Sequence, residues 1–377
     1  MYFSPKTSAD RLVFHYDTGN TVRSYLGEPT TNLVTNGNFS NGKTGWSFTG
    51  TANSATSVGT YQGKVALFAN GLRYYNETPG YFYQSISVTQ GVTYTVSFKY
   101  YLLSGTLIFD PDGAYNGGGG LTSTGQWVTY SATFVASSTS LTLNFYGDSG
   151  VYAYYYITDI QVEQKSHATP FVNGTRSVTQ GLKDLAGRST IDLSNVSFDS
   201  NAQMTFDGSD DHILTSENIA LNGSQTFEVI TTISGGPQSP AGIISNHDYA
   251  NTSNFGLNHI SGNRIGISIG YTDNSREYDS KYTTYTATVG TPFHLVMTFD
   301  QSSNTVKLYI NGVLDSTFVL TKTVKFTSRP VVLGRWDYQY NYYYFNGKIP
   351  VAKAYNRALS AADVTQNFNA VRGRYGI

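Results

Sequence analysis

The chain has 377 residues, enough for two ordinary domains that each bury a core. Charged residues are only 13% and the formal net charge is −1, so the basic field of a nucleic-acid binder is absent, as is a polybasic membrane-surface segment. There is no cysteine, which excludes disulfides and thiolate metal sites, and no window approaches the roughly 18 apolar residues of a transmembrane helix.

The first residues, MYFSPKTSADRLVFHYD, lack a charged segment followed by a long apolar run. The expectation is a chain made in a cytoplasm and not exported by the usual route. Asn-x-Ser/Thr triplets such as Asn38-Phe39-Ser40 then read as chance. Near residue 32 the polar stretch LGEPTTN gives way to NLVTNGNFSNGKTGW, and near 165 a strand pattern ends in the irregular KSHATPFVNGTRS. These shifts predict one domain over 33–165, and a second made of 1–32 plus 166–377. Within the first, Val92, Tyr94, Val96, Phe98 and Tyr100 alternate with polar residues, as do Leu141, Leu143 and Phe145. That period of two predicts half-buried strands, and the 31 Tyr and 21 Phe argue the same way. Further on, Val306, Leu308 and Ile310 alternate before Asn311-Gly312, a tight hairpin turn. The segment beginning at Ser360 predicts a short helix, capped by Ser360 with Asp363, that turns Val364, Phe368 and Val371 to one face. The predicted fold is all-β: two β-sandwich (jelly-roll) domains, one inserted into the other, with a short C-terminal helix.

The 33–165 segment opens with Asn32-Leu33-Val34-Thr35-Asn36-Gly37-Asn38-Phe39 and Gly45-Trp46, and closes with Tyr155-Tyr156-Ile157-Thr158-Asp159-Ile160-Gln161-Val162-Glu163. It resembles the carbohydrate-binding jelly rolls appended to xylanases and cellulases. The resemblance implies a structural calcium held by an acid after the opening Phe and by an Asp of the last strand. Asp159 matches the second position, whereas the first is Ser40, which supplies no carboxylate. Trp46 is expected in the core.

Toward the C-terminus, Phe206-Asp207-Gly208, the run Phe293 to Asp300, Lys307 to Gly312, Phe345-Asn346-Gly347-Lys348-Ile349 and Tyr355 to Ser360 follow one another. Their order resembles laminin-G-like, concanavalin-A-like domains. The first strand of that family resembles Leu12 to Asp17, at the other end of the chain, so the domain is expected to be discontinuous. Three phrases, RSYLGEPTTNLVTNGNF, ATPFVNGTRS and QNFNAVRGRYGI, resemble bacteriophage structural proteins.

Sugar binding needs rings that stack on apolar sugar faces and polar groups that fix hydroxyls. The candidates are Tyr81, Tyr83, Tyr101 and Tyr115, the last beside four glycines and expected to be exposed, and Trp336, Tyr338 and Tyr340 in a Tyr-rich loop. That loop reads either as a ligand loop or as a subunit contact. Candidate calcium ligands are Asp159, Asp210, Asp211 and Asp248. His294 reads as a packed, hydrogen-bonded core residue. The paired carboxylates of a glycosidase are not spaced along any strand, and H-E-x-x-H, P-loop and G-x-S-x-G motifs are absent, so no enzymatic activity is expected. The expected function is a non-enzymatic phage virion surface protein that binds glycan. Its partners would be other virion proteins and copies of itself, with neither nucleic acid nor membrane insertion. A purely structural virion protein and a glycan-degrading enzyme are the alternatives.

Overall fold

The computed structural model describes residues 7–49, 56–71, 81–113, 115, 117–122, 125–148, 152–216, 218–236, 240–337 and 343–377. The chain forms two compact units. The larger is discontinuous, with Met1–Glu28, Val178–Asp199 and Gln203–Ile377; the smaller holds Pro29–Ser177 with Ser200–Ala202. The cuts fall outside the expected 32 and 166 because hydrogen bonds tie both flanks to the smaller unit. Strand Thr30–Thr31 pairs with Thr175–Arg176. The Asn32 amide donates to the carbonyls of Ile160 (3.0 Å) and Val172 (3.1 Å).

The fold is all-β with one C-terminal helix. In the smaller unit two five-stranded antiparallel sheets enclose one core. One sheet runs in the spatial order Trp127–Val135, Thr93–Ser104, Ala153–Glu163, Lys64–Gly71, Thr56–Tyr61. It sends Val96, Phe98, Tyr100, Tyr155, Ile157 and Leu67 inward, against Phe82, Phe109, Leu141 and Phe145 of the other sheet. Trp46 lies in this core beside Phe39, Phe82 and Phe145, and its Nε1 donates to the Asn36 carbonyl at 3.2 Å.

In the larger unit an eight-stranded and a six-stranded sheet share a core. Strand Leu12–Asp17 pairs with Asn346–Tyr355 in the eight-stranded sheet. Asn311 and Gly312 take φ values of 49° and 79°, the two positive angles that a tight hairpin turn requires.

Helix Ala361–Tyr375 starts at Ser360, whose hydroxyl accepts from the Asp363 amide while the Asp363 carboxylate returns the bond. Val364 packs with Val296, Tyr309 and Tyr355, and Val371 with Ile230 and Val351, so the helix covers the outer face of the eight-stranded sheet. Phe368, expected on the buried face, is only half-buried, and Asn367 is buried instead. The reason is a carboxylate under the helix. Glu228 accepts from Lys353 Nζ (2.7 Å), His294 Nε2 (3.2 Å) and Asn367 Nδ2 (2.6 Å). Burial alone would raise the Glu228 carboxyl, but Lys353 and His294 hold it well below the usual carboxylate range. Replacing Lys353 by Met strands that charge, and the expected loss is about 3–5 kcal/mol of unfolding free energy, read from denaturant melts.

Candidate functional site

Alternation places Tyr100 in the core of the smaller unit and Tyr101 on the outer face of the same sheet. Register then brings distant residues beside Tyr101. Trp127 stands opposite it on one side, Tyr156 on the other, and Phe68 opposite Tyr156. Tyr61 folds over this row. Its ring stacks on Tyr156 at 3.9 Å and 7° and meets Tyr101 edge-on at 5.1 Å. Trp127 meets Tyr101 at 5.8 Å, and Phe68 meets Tyr156 at 5.1 Å. The Tyr61 phenol is raised above its ordinary value by desolvation in the stack and by its hydrogen bond with Tyr101. Tyr154 in strand Ala153–Glu163 and Tyr152 just before it, both exposed, continue the face. Tyr101 itself is 8% exposed, so Tyr61 rather than Tyr101 offers the open ring. One row on, Lys99 Nζ and Asp159 Oδ2 pair at 2.8 Å, leaving the face without net charge there.

The other candidates fall elsewhere. Tyr81 and Tyr83, 5.5 Å apart, lie on the outer face of the opposite sheet near Tyr146, whose hydroxyl donates to Asp110. Tyr115 is not exposed as expected: it is half-buried and stacked on Phe134 at 4.4 Å. The glycines make this possible, since a Cβ on Gly117 would lie 2.1 Å from the Tyr115 ring. Tyr338 and Tyr340 lie outside the described residues.

Trp336, a candidate sugar-binding ring in a Tyr-rich loop, is buried at 3% exposure. Its Nε1 donates to Ser268 Oγ at 2.9 Å, and the rings of His247, Tyr249, Tyr278 and Tyr343 surround it. Arg276 lies 3.9 Å over the Tyr249 ring. The His247 ring is fully buried, neither nitrogen has a hydrogen-bond partner among the described residues, and Nδ1 is 3.8 Å from Asp337 Oδ2.

The calcium candidates divide. Asp159 is taken by Lys99. The position after the opening Phe is Ser40, which supplies no carboxylate, and the neighbouring Asn36 amide donates to the carbonyls of Gly42 (3.0 Å) and Thr44 (2.9 Å). That position does not fit calcium. Asp210 and Asp211 converge with Asp207, their ligand oxygens within 4.8 Å of one another. Yet Asp211 accepts from the Asp207 amide and the Ser197 hydroxyl, and Asp207 from the Ser209 amide. These bonds close the turn from within the protein. Asp248 stands apart, fully buried, accepting from Arg329 Nε at 2.6 Å and from Asn251.

The comparisons with known proteins bear on both units. A family model described as a carbohydrate binding domain matches residues 31–153, and one described as the concanavalin A-like lectin/glucanases superfamily matches 207–365. The first match falls in the smaller unit and the second in the larger. No curated protein matches it significantly. Among solved structures, the botulinum neurotoxin type G receptor binding domain is 21% identical with a TM-score of 0.39, over 51% of this chain and 49% of that one. The receptor binding domain of botulinum neurotoxin D is 17% identical, TM-score 0.40, over 51% and 50%. The binding domain of Paraclostridial Mosquitocidal Protein 1 is 15% identical, TM-score 0.40, over 50% and 49%. The chain therefore spans about half the length of the structures it matches. Among the described residues no helix is long and apolar enough to cross a membrane.

The larger unit contains an acid-sensitive element. Burial lowers the His247 imidazole to about 4 from its ordinary 6.5, so the folded protein keeps it neutral at pH 7. The unfolded chain binds that proton more readily, so the His247 contribution to stability falls as pH drops from 6.5 toward 4 and is constant below. His15, also lowered to about 4 by burial, acts in the same direction. The melting temperature should therefore decline through this window, and His247→Gln should flatten the decline.

Proposed function

We propose that the chain is a non-catalytic glycan-binding protein whose principal site is the outer aromatic face of the carbohydrate-binding domain. The observation that supports this most is the array of Tyr61, Tyr156, Tyr101, Trp127 and Phe68, gathered from every strand of one sheet. Rings on a solvent-facing sheet offer apolar area to sugar faces, and the phenol groups offer hydrogen bonds. The paired Lys99 and Asp159 favour a neutral glycan over an acidic one at this face.

In this reading the concanavalin-A-like domain acts as scaffold and spacer. The setting is the surface of a phage particle, as a fibre, appendage or decoration, with other virion proteins and further copies of the chain as partners. The phrases around residues 23–39, 168–177 and 366–377 support that setting through their likeness to phage structural proteins.

A glycan array probed with the whole protein tests the proposal. Binding to neutral oligosaccharides is expected, with Tyr61→Ala weakening it about tenfold or more. Tyr115→Ala, which lies off the face, should leave affinity unchanged. A folded protein that binds no glycan, or binds equally after Tyr61→Ala, removes the assignment.

A further inference from the structure

Beneath the C-terminal helix, one carboxylate holds two side chains that are able to react with each other. Lys353 stands directly opposite Glu228 in the eight-stranded sheet. Its Nζ lies 2.7 Å from Glu228 Oε1, and Nδ2 of Asn367, reaching down from the helix, lies 2.6 Å from Oε2. All three residues are at most 1% exposed, so bulk water is kept away. The neighbours are largely apolar: Val296 stands beside Glu228 on the next strand, and it clusters with Tyr309, Tyr355, Leu359 and Val364.

The groups around the pair are arranged for more than an ion pair. The Asn367 carbonyl oxygen accepts from the Ser8 amide at 2.7 Å, a bond that draws electron density from Cγ. The Tyr355 hydroxyl accepts from Nδ2 at 3.0 Å. His294 Nε2, 3.2 Å from Oε1, orients the carboxylate. An amine, an amide carbon with a donor on its oxygen, and a carboxylate touching both are the parts that an amide exchange requires. Holding both reactants on one carboxylate supplies the orientation that free amine and amide lack in water.

We propose that Lys353 and Asn367 join through a side-chain amide bond, with Glu228 as the proton carrier. Glu228 takes one proton from the Lys353 ammonium, which frees the Nζ lone pair. Nζ attacks Asn367 Cγ, and the carbonyl electron pair moves to Oδ1, where the Ser8 N–H stabilises the charge. Glu228 passes its proton to Nδ2 and takes a second one from Nζ. The Cγ–Nδ2 bond breaks, and the nitrogen leaves as ammonia. Nζ ends as an uncharged amide and Glu228 as an uncharged acid, so no co-reactant is consumed and no buried charge is left to stabilise. The bond ties the last helix to strand Asn346–Tyr355. It goes beyond the glycan-binding reading and shares no residue with the aromatic face.

Intact mass spectrometry of the whole protein tests the bond. The expected mass is that of the sequence less one ammonia, in nearly every molecule. Asn-Gly steps such as Asn311-Gly312 also lose ammonia on their own, so the position is read from a tryptic digest. One branched peptide is expected, joining residues 349–357 to 358–372, with fragmentation placing the link at Lys353 and Asn367. Lys353→Arg keeps a cation beside Glu228 but supplies no amine that gives up its proton, and Glu228→Gln keeps the shape but carries no proton. Each variant should retain its full sequence mass. The unaltered protein decides the matter whether or not the variants fold: full mass, or loss of ammonia without the branched peptide, overturns the proposal. A branched peptide that persists in Glu228→Gln overturns the role of Glu228.

Discussion

A β-strand sends successive side chains to opposite faces, and the surface chemistry of the smaller unit follows from that constraint. Strand Thr93–Ser104 commits Tyr94, Val96, Phe98, Tyr100 and Leu102 to the core, which leaves Lys99 and Tyr101 on the outer face. Its neighbours obey the same rule. Tyr155 and Ile157 go in, while Tyr154 and Tyr156 go out. A one-residue slip of register would bury the outer tyrosines and expose the core. The aromatic face is therefore as firmly specified as the core behind it. Its rings contact one another across strands, so they are held in place before any ligand arrives.

The larger unit meets a different constraint. Its eight-stranded sheet carries Glu228, Lys353 and His294 on the face opposite the core, where charges need partners or water. The C-terminal helix supplies the lid, and Asn367 supplies the last partner. Ser8 joins the same network, its amide donating to Asn367 Oδ1 at 2.7 Å. The first described residues and the last helix are thus tied to one buried carboxylate. That tie explains why the first strand and the rest of this unit can lie far apart in sequence yet close one sheet.

Much of this was legible in the sequence, for reasons that also explain what was not. The period of two in Val92 to Tyr100 and the Asn-Gly step at 311 are local signals, and the strands and hairpin appear where they fall. The helix cap at Ser360 is equally local. Tyr101 was reachable, because Tyr100 and Tyr101 cannot both face inward. Its companions Tyr61, Trp127 and Phe68 were not, since long-range register alone assembles them. Trp336 looked like a loop residue from its place between family strands, but Ser268, His247 and Tyr278, all distant in sequence, cover it. Tyr115 looked open because glycines flank it, whereas the missing Cβ of Gly117 lets its ring fold onto Phe134. Asp159 kept its place in the pattern of its strand but found Lys99 across the sheet instead of a cation.

The chain has three tryptophans, and they make the central claim directly measurable. Trp46 and Trp336 are buried in the two units, while Trp127 is half-buried on the aromatic face. Titrating the protein with a neutral oligosaccharide that it binds, while recording tryptophan emission, therefore reports on that face. The account predicts a saturable change in emission that disappears in Trp127→Phe while emission from the other two indoles stays constant. Saturable binding measured by calorimetry, with Trp127 emission unchanged throughout, would contradict it.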